Sequence, residues 1–314
     1  MRCAIGIDVG TTNLKVAVAG DDGTLLGHAQ RPLPMHHAGD VAEQDADAMW
    51  TALLAAVTEA LGAHAQDVEA IGVCSQYSSI VPVDAATRPL APMVMWQDQR
   101  GTDHSWDIMA REESSFMTFV EHHGIPPIGG GLSLAHILHL QLDRPELHER
   151  THAYLEAMDY VTARFTGRIT ASQHSVFTYQ LCDNRTLGAL HYDDDLVKLA
   201  GVDATRLPPL ISVDAVVGTV TGELAEQLGL GADVRVLAGT NDTATAALAT
   251  DAFTPGRAGL AIGTTSVLVD AVADFRVDLE HQILSMPGPN PDRYVVMAEN
   301  GLGGKVLEHV LVRY

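Results

Sequence analysis

The 314-residue sequence predicts an α/β fold built on a mixed sheet, and three observations carry the prediction. Strand-like alternation opens the chain, strands and helices then take turns along it, and one strand-turn-strand unit occurs twice. The alternation runs from residue 4 to 28: apolar Ile5, Ile7 and Val9, the turn Gly10-Thr11-Thr12, then apolar Leu14, Val16 and Val18. A period of two marks half-buried strands. Asp21-Asp22-Gly23 makes the next hairpin turn, and Leu25-Leu26 starts a third strand. A meander of this kind makes the sheet mixed rather than purely parallel.

In residues 45–61, Met49, Trp50, Leu53, Leu54, Val57 and Leu61 share one stripe of a 3.6-residue helix, which suits it to cover one sheet face. Strands resume at 70–75 and 80–83, and a further apolar run, 92–96, ends in Gln97-Asp98-Gln99-Arg100. Residues 102–200 are mostly helical and polar-turn text, with GIPPIGGG (124–131) as a loop and 132–142 as an apolar helix. LGLGADVRVLAG (228–239) gives a turn and a buried strand, and an alanine-rich helix begins at Thr243, directly after Asn241-Asp242. After Thr254-Pro255-Gly256 the strand-turn-strand unit returns at 258–272, with Gly263-Thr264-Thr265 as its turn. This return marks a second lobe.

The composition, 46% hydrophobic and 19% charged with a mean hydropathy of +0.09, is that of an ordinary globular protein. No apolar run approaches the ~20 residues of a membrane helix. The opening MRCAIGIDVG lacks the pattern of a secretory signal, so a cytoplasmic location is expected. A net charge of −21 argues against nucleic acid as a partner, since that binding relies on clustered Lys and Arg. Cys3, Cys74 and Cys182 are scattered and form no CxxC pair, which indicates reduced, mostly buried thiols. Among the 15 histidines, His36-His37 and His122-His123 are adjacent pairs and lack metal-ligand spacing; exposed loop histidines are the simpler reading.

Backbone amides in a tight Gly-Thr-Thr turn form a concave donor cluster that suits a phosphate, and threonine hydroxyls add donors. Two such turns suit a polyphosphate held from both sides. Taken alone, each turn reads equally as ordinary hairpin text. Alternation puts Asp8 on the face opposite Ile7 and Val9, next to the turn where phosphate-bound magnesium would lie. Lys15 lies opposite Leu14 and Val16, either as an exposed strand lysine or as a neutraliser of phosphate charge. Asp98 and Arg100, two apart, project to one side and offer an acceptor and a forked donor to adjacent hydroxyls, or form a surface ion pair with Trp96 as a core residue. Gln76-Tyr77 ends another strand, and Gln76 offers an amide to a hydroxyl.

These segments resemble the FGGY family of carbohydrate kinases. GIDVGTTNLKV (6–16) is similar to that family's first phosphate motif, AGTNDTATAAL (238–248) to its second-lobe Gly-x-x-Asp motif, AIGTTSV (261–267) to its Gly-Thr-Ser turn, and MWQDQR (95–100) to its Trp-x-Asp-x-Arg sugar segment. The resemblance implies a ribonuclease H-like fold of the actin, heat-shock chaperone and sugar-kinase superfamily: a mixed sheet flanked by helices, with a second, incomplete lobe of the same type. It implies a sugar-binding first lobe at 1–245, carrying the first phosphate loop, and a partial second lobe at 246–314, carrying the second.

It further implies ATP and Mg2+, a small ketose such as xylulose or a polyol as substrate, and Asp242 as the base that accepts the sugar hydroxyl proton. Asp8 and Asp242 would face magnesium. Gly10, Thr11, Thr12, Lys15, Gly263, Thr264, Thr265 and Ser266 would face phosphates, and Gln76, Tyr77, Trp96, Asp98, Arg100 and Asn241 the sugar. Asp242 opens a helix, whose N-terminus is expected to lower its pKa.

Departures from the family pattern are visible. Gln76-Tyr77-Ser78 stands where xylulokinase-like members carry Gln-Met-His; His136 and His139 replace a usual lysine and tryptophan, and Met158 a lysine. The glycine-rich adenosine motif has no counterpart in the 314 residues, so a catalytically impaired sugar-binding or oligomeric remnant is the alternative expectation. A second lobe of that size leaves apolar surface and strand edges to be covered, by a homodimer or by the first lobe.

Overall fold

The computed structural model describes residues 2–254, 256–262, 266–281, 283–300, 306 and 309–311. Its principal sheet has seven strands. Cys3–Val9 lies between Asn13–Gly20, its antiparallel neighbour, and Val68–Ser75, its parallel one. Leu25–Pro32 extends one edge, Arg235–Leu237 and Val216–Thr219 the other, and Thr240–Asn241 pairs in parallel with the end of Val68–Ser75.

The alternation read from the sequence sorts side chains onto the two faces. Ile5, Ile7, Val9, Leu14, Val16 and Val18 point to one side and are all buried. The helix Ala46–Leu61 covers them with Leu53, Val57 and Leu61, joined by Tyr160 and Phe165 of Ala157–Thr166 and Leu224 and Leu228 of Gly222–Leu228. Each such side chain contributes about 1.5–3 kcal/mol by leaving water. Asp45 caps the first helix by accepting the Ala48 N–H at 2.9 Å. Gly27 permits the close approach of strand and helix, since a Cβ there would stand 2.1 Å from the Ala60 carbonyl oxygen. The opposite face carries the small residues Gly6, Ala17, Gly72 and Cys74 beside Leu237, and a groove of about 840 Å³ runs over it.

A second sheet places His36–Ala38, Val41–Gln44, Met93–Val94, Ile80–Val83 and Ala153–Glu156 side by side. Helices Thr102–Arg111, Ser115–His122, Ser133–Leu142 and Pro145–Arg150 accompany it, and Ile108, Phe119, Leu134, Leu138 and Tyr154 build their core. The apolar run at 92–96 yields only a two-residue strand, because Trp96-Gln97 turns and the Asp98 N–H donates back to the Met95 carbonyl at 2.8 Å.

A third sheet orders Gly259–Ile262, Ser266–Val272, Tyr294–Asn300, Ile283–Pro287 and Val277–Asp278. Val269, Met286 and Val295 seat it on Phe177 and on Ala247 of the helix Asp242–Ala249. Among the described residues, no helix is long and apolar enough to cross a membrane.

Candidate active site

The turn Gly10-Thr11-Thr12 is held from outside as well as within. Gly10 N–H donates to Asn13 O at 3.0 Å, Leu33 N–H to Thr12 O at 2.8 Å, and the Gln44 amide to Thr11 O at 2.6 Å. Among the described residues, the N–H groups of Thr11 and Thr12 donate to no protein acceptor. Two free amides on a fixed turn are the donor cluster that a phosphate needs. One register step back, Asp8 faces Lys15 across the two strands, and Lys15 Nζ stands 3.0 Å from Asp8 Oδ2.

Asp242 arrives at the same place from the far side of the sheet. Thr240–Asn241 pairs with Cys74 and Ser75, and Asn241 caps the following helix by accepting the Ala244 N–H at 2.8 Å. Asn241 is therefore the cap, and Asp242 the first helical residue, its Oδ1 accepting the Thr243 N–H at 2.7 Å. Gly239 lets this segment pass Met158, whose Cβ would lie 2.7 Å from an added Cβ. The helix end does not lower the Asp242 pKa as the sequence led us to expect. Solvent reaches its side chain, yet the surrounding protein strips much of its hydration, which pushes the pKa up; the Thr243 amide pulls down, and the charge of Asp8 pushes up again.

Asp8, Gly10, Thr11, Thr12, Asn13, Lys15, Asp242 and Thr243 line one crevice of about 510 Å³, closed on its other side by Val267 and Val269 of the third sheet. Ser266 opens that strand, while Gly263, Thr264 and Thr265 lie outside the described residues. Asp8 and Asp242 together suit a magnesium ion that arrives on phosphates and keeps waters, rather than one in an all-protein cage. No cluster of three or more His, Cys, Asp or Glu fit to hold a metal occurs among the described residues.

Trp96 reaches the crevice directly, its indole N–H donating to Thr11 Oγ1 at 3.1 Å, with 45% of the residue exposed. Asp98 and Arg100 engage each other. Asp98 is 0% exposed and accepts the Ala42 N–H at 2.9 Å, the Arg100 N–H at 3.0 Å and Arg100 Nε at 3.0 Å. Arg100 also donates to Glu43 at 2.6 Å. Burial pushes the Asp98 pKa up, but the Arg100 and amide hydrogen bonds outweigh it and hold the carboxyl below its usual range. The pair thus fixes the loop behind Trp96 from within, and Asp98 is buried rather than part of a surface pair.

Gln76 sits at the end of Val68–Ser75, tied by its N–H to Val9 O at 3.0 Å, while among the described residues both atoms of its buried side-chain amide meet no protein partner. Tyr77 packs at the edge of the main core. Sequence reading missed the polar groups behind this strand. Glu156 is 0% exposed and accepts the Ser79 N–H and Thr178 hydroxyl at 3.0 Å each, and the Ser133 hydroxyl; burial pushes its pKa up to about 7. Asp159 is buried with its pKa raised well above the usual range, again by burial. His136, close to Ser78 and Asp98, is buried, and among the described residues neither ring nitrogen is at hydrogen-bonding geometry to protein. His123 corrects the expectation of exposed histidines: its ring stacks on Phe177 and Nε2 donates to Phe177 O at 2.8 Å. The one local signal was His136 and His139 replacing the lysine and tryptophan.

Comparison with known proteins now bears on this geometry. Residues 3–249 match the model of the FGGY family of carbohydrate kinases, N-terminal domain. The chain is 24% identical over 299 residues to a probable L-xylulose kinase of Haemophilus influenzae, covering 93% of this chain and 60% of that protein. It is 28% identical over 271 residues to a Bradyrhizobium glycerol kinase, covering 84% and 53% respectively. Among solved structures, ligand-bound xylulose kinase from Lactobacillus acidophilus superposes with a TM-score of 0.88 at 18% identity, over 99% of this chain and 62% of that one. The fold is accordingly that of the sugar-kinase superfamily, and the chain spans about three-fifths of the length of these relatives. The chain belongs to the FGGY family of carbohydrate kinases.

Proposed function

We propose that this chain binds magnesium-ATP and a small sugar, a ketose such as xylulose or a polyol, and transfers the γ-phosphate to a sugar hydroxyl. The observation that carries the reading is the single crevice where Asp8, Thr11, Thr12, Lys15 and Asp242 converge, with Trp96 hydrogen-bonded to its rim. The free amides of Thr11 and Thr12 bind phosphate oxygens, and Lys15 offsets their charge. Asp8 and Asp242 would hold magnesium, which would supply further charge neutralisation when bound. The sugar rests on Trp96, with the unpartnered amide of Gln76 taking a hydroxyl.

The Asp242 carboxylate accepts the proton of the attacking hydroxyl while its oxygen bonds to the γ-phosphorus and the bond to the β–γ bridging oxygen breaks, releasing ADP. A pKa raised by lost hydration makes Asp242 a stronger base than an ordinary carboxylate. Positioning and charge neutralisation supply most of the catalysis in such a loose transition state. ADP release across a panel of ketoses and polyols tests this: one or more sugars stimulate release, and Asp242→Ala abolishes the stimulation. A rate unchanged in that variant rejects the base.

A second reading, a sugar-binding chain that turns over little ATP, alone or as a homodimer, draws on the exposed Trp96 and the buried Gln76 amide, which can serve a sugar without nucleotide. Calorimetry separates the two. Sugar binding without ATP affinity supports the second, and micromolar ATP binding removes it.

A further inference from the structure

His174 lies outside every motif discussed so far, yet it joins three parts of the molecule. The residue is 3% exposed. Its Nδ1 stands 2.6 Å from the carbonyl oxygen of Pro287, at the end of the third-sheet strand Ile283–Pro287. A carbonyl oxygen only accepts, so Nδ1 carries the proton. Nε2 is then an acceptor, and it receives two donors from the segment before Asp242: the Asn241 N–H at 3.3 Å and the Thr240 hydroxyl at 2.8 Å. The other tautomer would set an N–H against the Asn241 N–H and a lone pair against the Pro287 carbonyl. One tautomer alone satisfies all three partners.

We infer that His174 is a positioning residue for Asp242: its ring, fixed in the Nδ1–H tautomer, holds Thr240 and Asn241 and ties them to Pro287 of the third sheet. The role given to Asp242 rests on the kinase reading above. Burial pushes the ring's pKa down to about 4, which agrees with a neutral ring that both donates and accepts. Thr240–Asn241 is only two residues long and its ladder partners are Cys74 and Ser75 alone, so the ring supplies much of what fixes the direction in which the helix Asp242–Ala249 starts. The same ring makes the base segment responsive to any shift of the third sheet, whose Val267 and Val269 wall the crevice.

Three measurements on the full chain test the inference. Long-range ¹H–¹⁵N correlation of the ring is expected to show a protonated Nδ1 and an unprotonated Nε2 at neutral pH; the opposite tautomer, or a doubly protonated ring, overturns it. Hydrogen exchange at the Asn241 amide is expected to accelerate at least tenfold in His174→Phe, which keeps the ring volume and removes every hydrogen bond; protection within twofold of the parent overturns it. In the sugar-stimulated ADP-release assay, the same variant is expected to lose at least tenfold in kcat with KM for sugar within threefold, and an unchanged kcat overturns it. Should the parent chain release no ADP with any sugar, the kinase reading fails by itself, and ring tautomer and amide exchange then judge the positioning role. Should His174→Phe not fold, the tautomer of the parent chain decides.

Discussion

Replacing Glu156 by Gln is expected to raise stability above neutral pH and to leave it nearly unchanged at pH 4.5. The Glu156 side chain is fully enclosed, and among the described residues its partners are backbone amides and the Ser133 and Thr178 hydroxyls, with no cation hydrogen-bonded to it to offset the cost of ionising it. Burial pushes its pKa from 4.5 up to about 7. The sign follows from linkage: the folded state keeps this proton to higher pH than the unfolded chain, so the contribution is fully present below pH 4.5 and is lost as pH rises to about 7. At about 1.4 kcal/mol per pH unit, that window corresponds to roughly 3 kcal/mol.

Gln stays neutral throughout and fits the same partners, its carbonyl accepting from Ser79 and its amide donating to the two hydroxyl oxygens. Urea unfolding of both proteins at pH 4.5, 6, 7 and 8 isolates the effect as a difference. The expected difference is near zero at pH 4.5 and grows to about 2–3 kcal/mol in favour of the variant at pH 8. A difference that does not change with pH, or a variant less stable at pH 8, would refute the assignment of an uncompensated buried carboxyl.

Gly27→Ala drives a methyl group into the Ala60 carbonyl oxygen, backbone against backbone, and is expected to cost about 1–3 kcal/mol or more in denaturant unfolding; an unchanged midpoint rejects the close packing of strand and helix. Asp98→Ala leaves the Ala42 amide without its acceptor and Arg100 with Glu43 alone, and should destabilise by about 3–5 kcal/mol, since it breaks a buried pair from one side. Trp96→Ala, at a residue nearly half exposed, should leave the melting temperature close to the parent's while weakening sugar binding about tenfold by calorimetry. Equal affinity removes Trp96 from the sugar site.

What could be read in advance depended on whether the information was local. The opening meander was legible because Ile5, Ile7, Val9, Leu14, Val16 and Val18 alternate without interruption, and the first helix because Met49, Trp50, Leu53, Leu54, Val57 and Leu61 share one stripe. Ala153–Glu156 was not: all four residues are buried, so the strand lacks the alternation that announces one. The crevice residues were legible as types near turns, but their convergence was not, because Thr11 meets Trp96 across 85 positions. Asp98 shows the limit from the other direction. Its spacing from Arg100 was visible, but only the fold brings Ala42 and Glu43 alongside to engage the two. Glu156 and His174 stood in apolar or loop text with nothing to mark them, their partners supplied from elsewhere in the chain.

A crystal structure of this chain with a non-hydrolysable ATP analogue, magnesium and xylulose would test the shared crevice most directly. The expected density has phosphate oxygens on the Thr11 and Thr12 amides and the sugar against Trp96 with one hydroxyl on Asp242. Nucleotide bound away from the Gly10–Thr12 turn, or sugar out of reach of Asp242, would contradict it.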